Sequence, residues 1–129
     1  FTAYGLPGKI GANGKFQPIV NGDAATAVYG ILVRPYPTNS GQDGLGVAVP
    51  STSGPCNTLR RGYIMVQVNG AAAAAKNGQA YIRVAAAAGG KPIGGIEAAA
   101  DGANTIAPAG FVFTGPADAN GNTEIAFNI

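Results

Sequence analysis

Arg61-Gly62-Tyr63-Ile64-Met65-Val66-Gln67-Val68, a break at Asn69-Gly70, then Gly78-Gln79-Ala80-Tyr81-Ile82-Arg83-Val84: this stretch decides how the chain folds. Both runs repeat every second residue. Ile64, Val66 and Val68 share one face, and Tyr63, Met65 and Gln67 the other. In the second run Ala80, Ile82 and Val84 oppose Gln79, Tyr81 and Arg83. A two-residue period places successive side chains on opposite faces of a strand. The pattern predicts two central half-buried strands, aliphatic inside and Tyr-bearing outside, to which the other strands are added.

Outward from this pair, the same alternation recurs in short pieces. Tyr4 to Gly11 is punctuated too often for a helix and reads as an extended arm with a short strand near Lys9. Asn13-Gly14 is a hairpin signal, followed by Lys15 to Val20, where Pro18 has no ladder donor and so assigns the strand to an edge. Asn21-Gly22-Asp23 makes another turn. Ala27 to Arg34 is the next strand, ended by Pro35 and Pro37, with Gly30 marking a bulge or a close backbone approach. Thr38 to Leu45 reads as loop, Gly46 to Val49 as a short strand, and Ser51 to Leu59 as a second loop.

The five alanines Ala71 to Ala75 are flanked by Gly70 and Asn77-Gly78, too short a run for an isolated helix, so one helical turn or a plain loop is expected. Ala85 to Pro92 reads as a hairpin tip, with a short strand around Ile96. Phe111-Val112-Phe113 and Thr123 to Ile129 alternate, joined by a turn at Asn120-Gly121, with Ile125, Phe127 and Ile129 expected inward. The sum is about eight short strands and no useful helix. The expected fold is all-β: a small antiparallel β-barrel or sandwich, jelly-roll-like, with an extended N-terminal arm. One β domain spans residues 1–129, with 1–20 as arm and hairpin and 27–129 as the β body.

Composition removes several kinds of function. The chain has no His, so the commonest general base and the commonest zinc ligand are both missing. Its single cysteine, Cys56, allows no internal disulfide framework. Asp23, Asp43, Glu97, Asp101, Asp118 and Glu124 sit mostly beside Gly or Asn, where Asp serves turns rather than paired-carboxylate catalysis. Asp118 to Asn122 mimics the start of a calcium loop but lacks its glycine, replaced by Thr123, and its closing acid, replaced by Ile129. Gly8-Lys9 and Gly14-Lys15 lack the Ser or Thr of a phosphate loop. The expectation is no enzyme, no cofactor and no metal.

A net charge of +2, dispersed except at Arg60-Arg61, is too weak for a nucleic-acid partner. No apolar segment is long enough to be expected in a membrane, and no secretory leader is recognisable. A chain opening at Phe1 rather than Met is expected to have lost, or to lack here, an N-terminal piece. Charged residues make up 11%, well below the usual quarter. Such a surface fits either an undemanding turn-rich β protein or a subunit packed against others. Tyr4, Tyr29, Tyr36, Tyr63 and Tyr81, with Arg34, Arg60, Arg61 and Arg83, are residue types that anchor interfaces. The alternative is that Tyr29, Tyr63 and Tyr81 cap a rim with wet hydroxyls and that Arg60-Arg61 is a solvated pair.

The order of strands and glycines resembles the structural cement, or capsid decoration, proteins of tailed bacteriophages. The resemblance is carried by Tyr4-Gly5-Leu6-Pro7-Gly8-Lys9-Ile10, by Tyr29-Gly30-Ile31-Leu32-Val33 with its following Pro, and by Arg61 to Val66. An Ala-rich linker, Lys76 to Val84 and a C-terminal pair of alternating strands complete it. It implies a mechanical role: binding the outer surface of a phage head and tying neighbouring capsomers together against packaged DNA. The implied partners are the major capsid protein and the chain itself, as a dimer or trimer at a local symmetry axis. Phe1, Tyr4, Leu6, Lys9, Phe16, Arg34, Tyr36, Arg60 and Arg61 are the expected capsid or self contacts. A tail or fibre module and a carbohydrate-binding jelly roll are the alternatives; the absence of Trp weighs against the latter.

Overall fold

The computed structural model describes residues 1–35 and 49–129. Ten strands make two sheets, and the only helical pieces among these residues are two single 3-10 turns. Strands β1 (Pro7–Ile10), β2 (Phe16–Pro18), β3 (Gly30–Val33) and β4 (Asn57–Leu59) form an antiparallel sheet in the order β2-β1-β3-β4. Strands β5 (Gly62–Asn69), β6 (Tyr81–Arg83), β7 (Ile96–Glu97), β8 (Thr105–Ile106), β9 (Phe111–Phe113) and β10 (Asn122–Phe127) form the other, in the order β8-β6-β7-β5-β10-β9. This six-stranded sheet curls into a half-barrel. Its β9 edge is drawn back towards β6 by a bridge between Gln79 and Val112, with Ala80 N–H donating to Phe111 O at 2.9 Å. The fold is all-β, as the alternation and turn spacing predict.

The signals at the turns are realised. The β1–β2 hairpin closes at Asn13-Gly14, and Pro18 lies on the edge strand β2; ahead of β1 the backbone turns at Tyr4-Gly5, where Gly5 has a φ of 81°. Gly30 is a close approach: a Cβ there would lie 2.6 Å from Leu59 O. The alanines 71–75 form a plain loop, with Ala74 buried. The expected loop Thr38 to Leu45 lies outside the described residues, as does most of the strand Gly46 to Val49.

Three expectations are corrected. The two central strands are not neighbours: β7 lies between them, parallel to β5 and antiparallel to β6. The connection from Gly70 to Ala80 is no tight hairpin, and its last residues are spent on β9, so β6 returns one strand further out. Ile129, placed inward by its alternation with Ile125 and Phe127, is 60% exposed, because Asn128 turns the backbone at a φ of 56°. Arg83, placed on the outer face, is buried at 1%.

The core lies where the two sheets face each other. The Val66 and Ile82 side chains of the curled sheet meet Ile31 of the other, and Ile19 from the β2–β3 connection joins them. Phe111 and Phe127 close one end edge-to-face, with centroids 5.7 Å apart. The chain passes from one sheet to the other at Arg60-Arg61-Gly62. Gly62 has a φ of +137°, a conformation that L side chains rarely adopt. The Asn128 side-chain amide donates to Arg60 O at 3.0 Å and ties this corner to the end of β10. Corners of this kind are made by strands that switch sheets through a bend.

Candidate functional site

An aromatic ladder runs across the four-stranded sheet and ends at that corner. Phe1 stacks on Phe16 with centroids 5.0 Å apart, Phe16 leans on Tyr29 at 6.2 Å, and the Arg60 guanidinium lies 3.8 Å from the centre of the Tyr29 ring. Its floor is Gly8 on β1, where a Cβ would come within 2.6 Å of both Phe1 Cζ and Phe16 Cζ and of Gln17 O. Only glycine lets two phenyl rings settle on this strand. Gly8 O also accepts from Tyr29 N–H at 2.8 Å, which holds the tyrosine in line.

The rings are half-buried, Tyr29 is 36% exposed, and Arg60 and Arg61 are exposed. Neither arginine enters an ion pair among the described residues. A guanidinium stacked on an aromatic face keeps its in-plane N–H donors pointing outward, where they can grip a carboxylate bidentately. The arrangement is an amphipathic surface of packed rings with a cationic end. Among the described residues no group of three or more His, Cys, Asp or Glu side chains could hold a metal ion. No helix among them is long and apolar enough to cross a membrane.

The residues expected as contacts divide. Phe1, Phe16 and Arg60 come together in the ladder, with Arg61 beside it. Lys9 is committed elsewhere, to Asp23 at 2.6 Å. Burial pushes the Asp23 carboxyl up, but the hydrogen bonds from Lys9 and from Val20 N–H outweigh it and hold the group below its ordinary range. Leu6 is half-buried, its carbonyl accepting from Leu32 N–H at 2.9 Å. Tyr4 is half-buried and Arg34 lies exposed beyond β3, neither in the ladder. Tyr36 lies outside the described residues. Sequence reasoning missed Gly8, although a glycine inside a strand is itself a sign of close approach.

A second charged centre was not foreseen at all. All five N–H donors of Arg83 are engaged: Nε and Nη2 on the Glu97 carboxylate, Nη2 also on Asp101 Oδ2 at 2.7 Å, and Nη1 on the carbonyls of Ala85 and Ala86 at 3.2 Å each. Lys91 Nζ approaches Glu97 from its more exposed side at 3.4 Å. The hydrogen bonds that Arg83 donates to Glu97 and Asp101 push its pKa up, and Arg83 in turn holds Asp101 below its usual range. This centre fastens β6, β7 and the loops on either side of β7. Its guanidinium has no donor left for a ligand, so its role is internal.

Compared with protein-family models, residues 1–127 match one described as XM1 gp53 minor capsid protein. No curated protein and no solved structure matches.

Proposed function

The chain belongs to the XM1 gp53 minor capsid protein family, and we propose that within the phage virion it works as a cement on the outer surface of the head. In this reading it acts as a single β domain that binds the major capsid protein and ties neighbouring capsomers together against packaged DNA. The observation that carries the reading is the Phe1–Phe16–Tyr29–Arg60 ladder, a preorganised surface at the corner between two sheets whose arginines have no ion pair among the described residues. Flat aromatic residues beside arginine are the side chains that dominate protein interfaces. Arg60 and Arg61 suit an acidic strip on the shell, which speeds and orients docking.

Each contact is expected to be modest, of the order of 800 Å² per partner, and repetition over the shell turns modest contacts into firm attachment. Self-association in a closed symmetric assembly would add contacts at a local symmetry axis. The experiment is quantification on intact particles, combined with labelling by a reagent that cannot enter the head. Cementing requires a copy number that scales with the repeating sites of the shell and free access of the label. A handful of copies per particle, or protection of every copy from the label, would contradict it.

A further inference from the structure

The face of the curled sheet that points away from the core carries a second surface, remote in composition from the ladder. Register places its residues in rows across β5, β10 and β9. Tyr63, Ala126 and Val112 form one row; Met65 and Glu124, with Thr114 just past β9, form the next. Tyr63 is 58% and Met65 59% exposed, among the highest exposures of any large apolar side chains described. Ala126, in the first row, is buried at 9%, so Tyr63 and Met65 are the side chains that stand out from the strip. Glu124 accepts from Thr114 Oγ1 at 2.9 Å, which holds its carboxylate on the surface.

The charges on and around the strip are complementary to one another. Asp23, Glu97 and Asp101 are paired with cations inside this chain, whereas Glu124 has no ion pair among the described residues. Arg61, likewise unpaired, stands just before β5, two residues from Tyr63 on one side, while Glu124 lies in the row two residues beyond Tyr63 on the other. We infer that this face packs against the same face of a second copy, across a two-fold axis passing near Tyr63. Such an axis sets Tyr63 against Tyr63 and brings Arg61 of each copy over the Met65–Glu124 row of the other. A two-fold contact requires one patch to be its own complement, and this patch is.

With strands about 4.8 Å apart and a rise of about 3.3 Å per residue, the two rows across three strands cover roughly 200 Å². A stable complex buries about 800 Å² per partner. The free protein therefore dimerises weakly and reversibly, and salt weakens the pairing further. This deepens the self-association proposed above, yet it is tested without any shell.

The experiment is sedimentation velocity of the full chain from micromolar to millimolar concentration, at low and high salt. The expected result is a concentration-dependent dimer that Met65→Lys abolishes. Glu124→Arg or Arg61→Glu alone weakens it roughly tenfold, and the two together restore it. A monomer throughout, a trimer, a dimer indifferent to Met65→Lys, or a charge swap without rescue would each overturn the proposal. Should the chain stay monomeric while Met65→Lys lowers occupancy on heads, the face belongs to the shell protein instead. Capsid binding through the ladder is read separately, on heads, with Arg60→Ala, which removes the cation on Tyr29 and leaves Arg61 and this face in place, so either proposal can fail alone.

Discussion

Arg83 and Arg60 carry the same side chain to opposite uses. Arg83 is buried, and every donor it has is spent on this chain's own carboxylates and carbonyls. Arg60 is exposed, rests on one tyrosine ring, and has no ion pair among the described residues. The difference teaches how a chain with so few ions distributes them. Charge taken inside must be fully answered within the fold, because an unanswered buried ion costs several kcal/mol. Charge left on a corner costs almost nothing and stays available to a partner.

Breaking the buried side should have the largest effect. Arg83→Met strands Glu97 in the interior and is expected to cost about 3–5 kcal/mol, measured by urea denaturation. That is a large share of the roughly 5–15 kcal/mol that holds a domain folded. Adding Glu97→Met should recover part of the loss, since an apolar pair needs no compensation; two independent, additive losses would contradict the picture of a coupled centre.

Next in size is the floor of the ladder. Gly8→Ala forces a methyl against Gln17 O and the two phenyl rings and should cost about 1–3 kcal/mol. If the melting point of that variant is unchanged, the rings do not rest on Gly8 as described.

Acid separates the two regions more gently. Asp23, Asp101 and Asp118 all have depressed pKa values in the folded chain, for three distinct reasons. For Asp101 the main cause is the hydrogen bond from Arg83. For Asp118 it is the backbone N–H of Asn122, and for Asp23 Lys9 and Val20 prevail over burial. Because the folded values lie below the unfolded ones, the stability these groups contribute is fully present above about pH 4 and is lost as the pH falls through the folded values. The melting temperature should be level from neutrality down to about pH 4 and then decline, and Asp101→Asn should flatten that decline. Arg60→Ala, by contrast, should alter stability by no more than about 1 kcal/mol at any pH, the worth of an exposed cation–π contact.

The parts of this comparison were unequally legible in the sequence. The alternation in β5 and β10 and the Asn-Gly turns reveal the all-β class, because a two-residue period has a single structural meaning. Pro18 marks its edge strand for an equally local reason. What alternation cannot report is which strands are neighbours: β7 is only two residues long, Ile96 and Glu97, yet it separates the two clearest strands. Nor can it report that an arginine is buried. Arg83 obeys the period of its strand, and only the fold brings Glu97 and Asp101 to meet it. The ladder was half legible: Phe1, Phe16 and Arg60 stand out as interface types, but their assembly over Gly8 depends on the pairing of β1 with β2 and β3.

The most direct test is the occupancy of heads by a variant that removes the exposed surface and spares the buried one. Arg60→Ala/Arg61→Ala should melt within a few degrees of the unaltered protein, since a loss of about 1 kcal/mol moves a melting point of a chain this size by only about 2–8 °C. The same variant should leave heads largely undecorated at concentrations that saturate the unaltered protein. Full decoration by the double variant, at unchanged concentration and salt, would contradict the assignment of this corner to the shell.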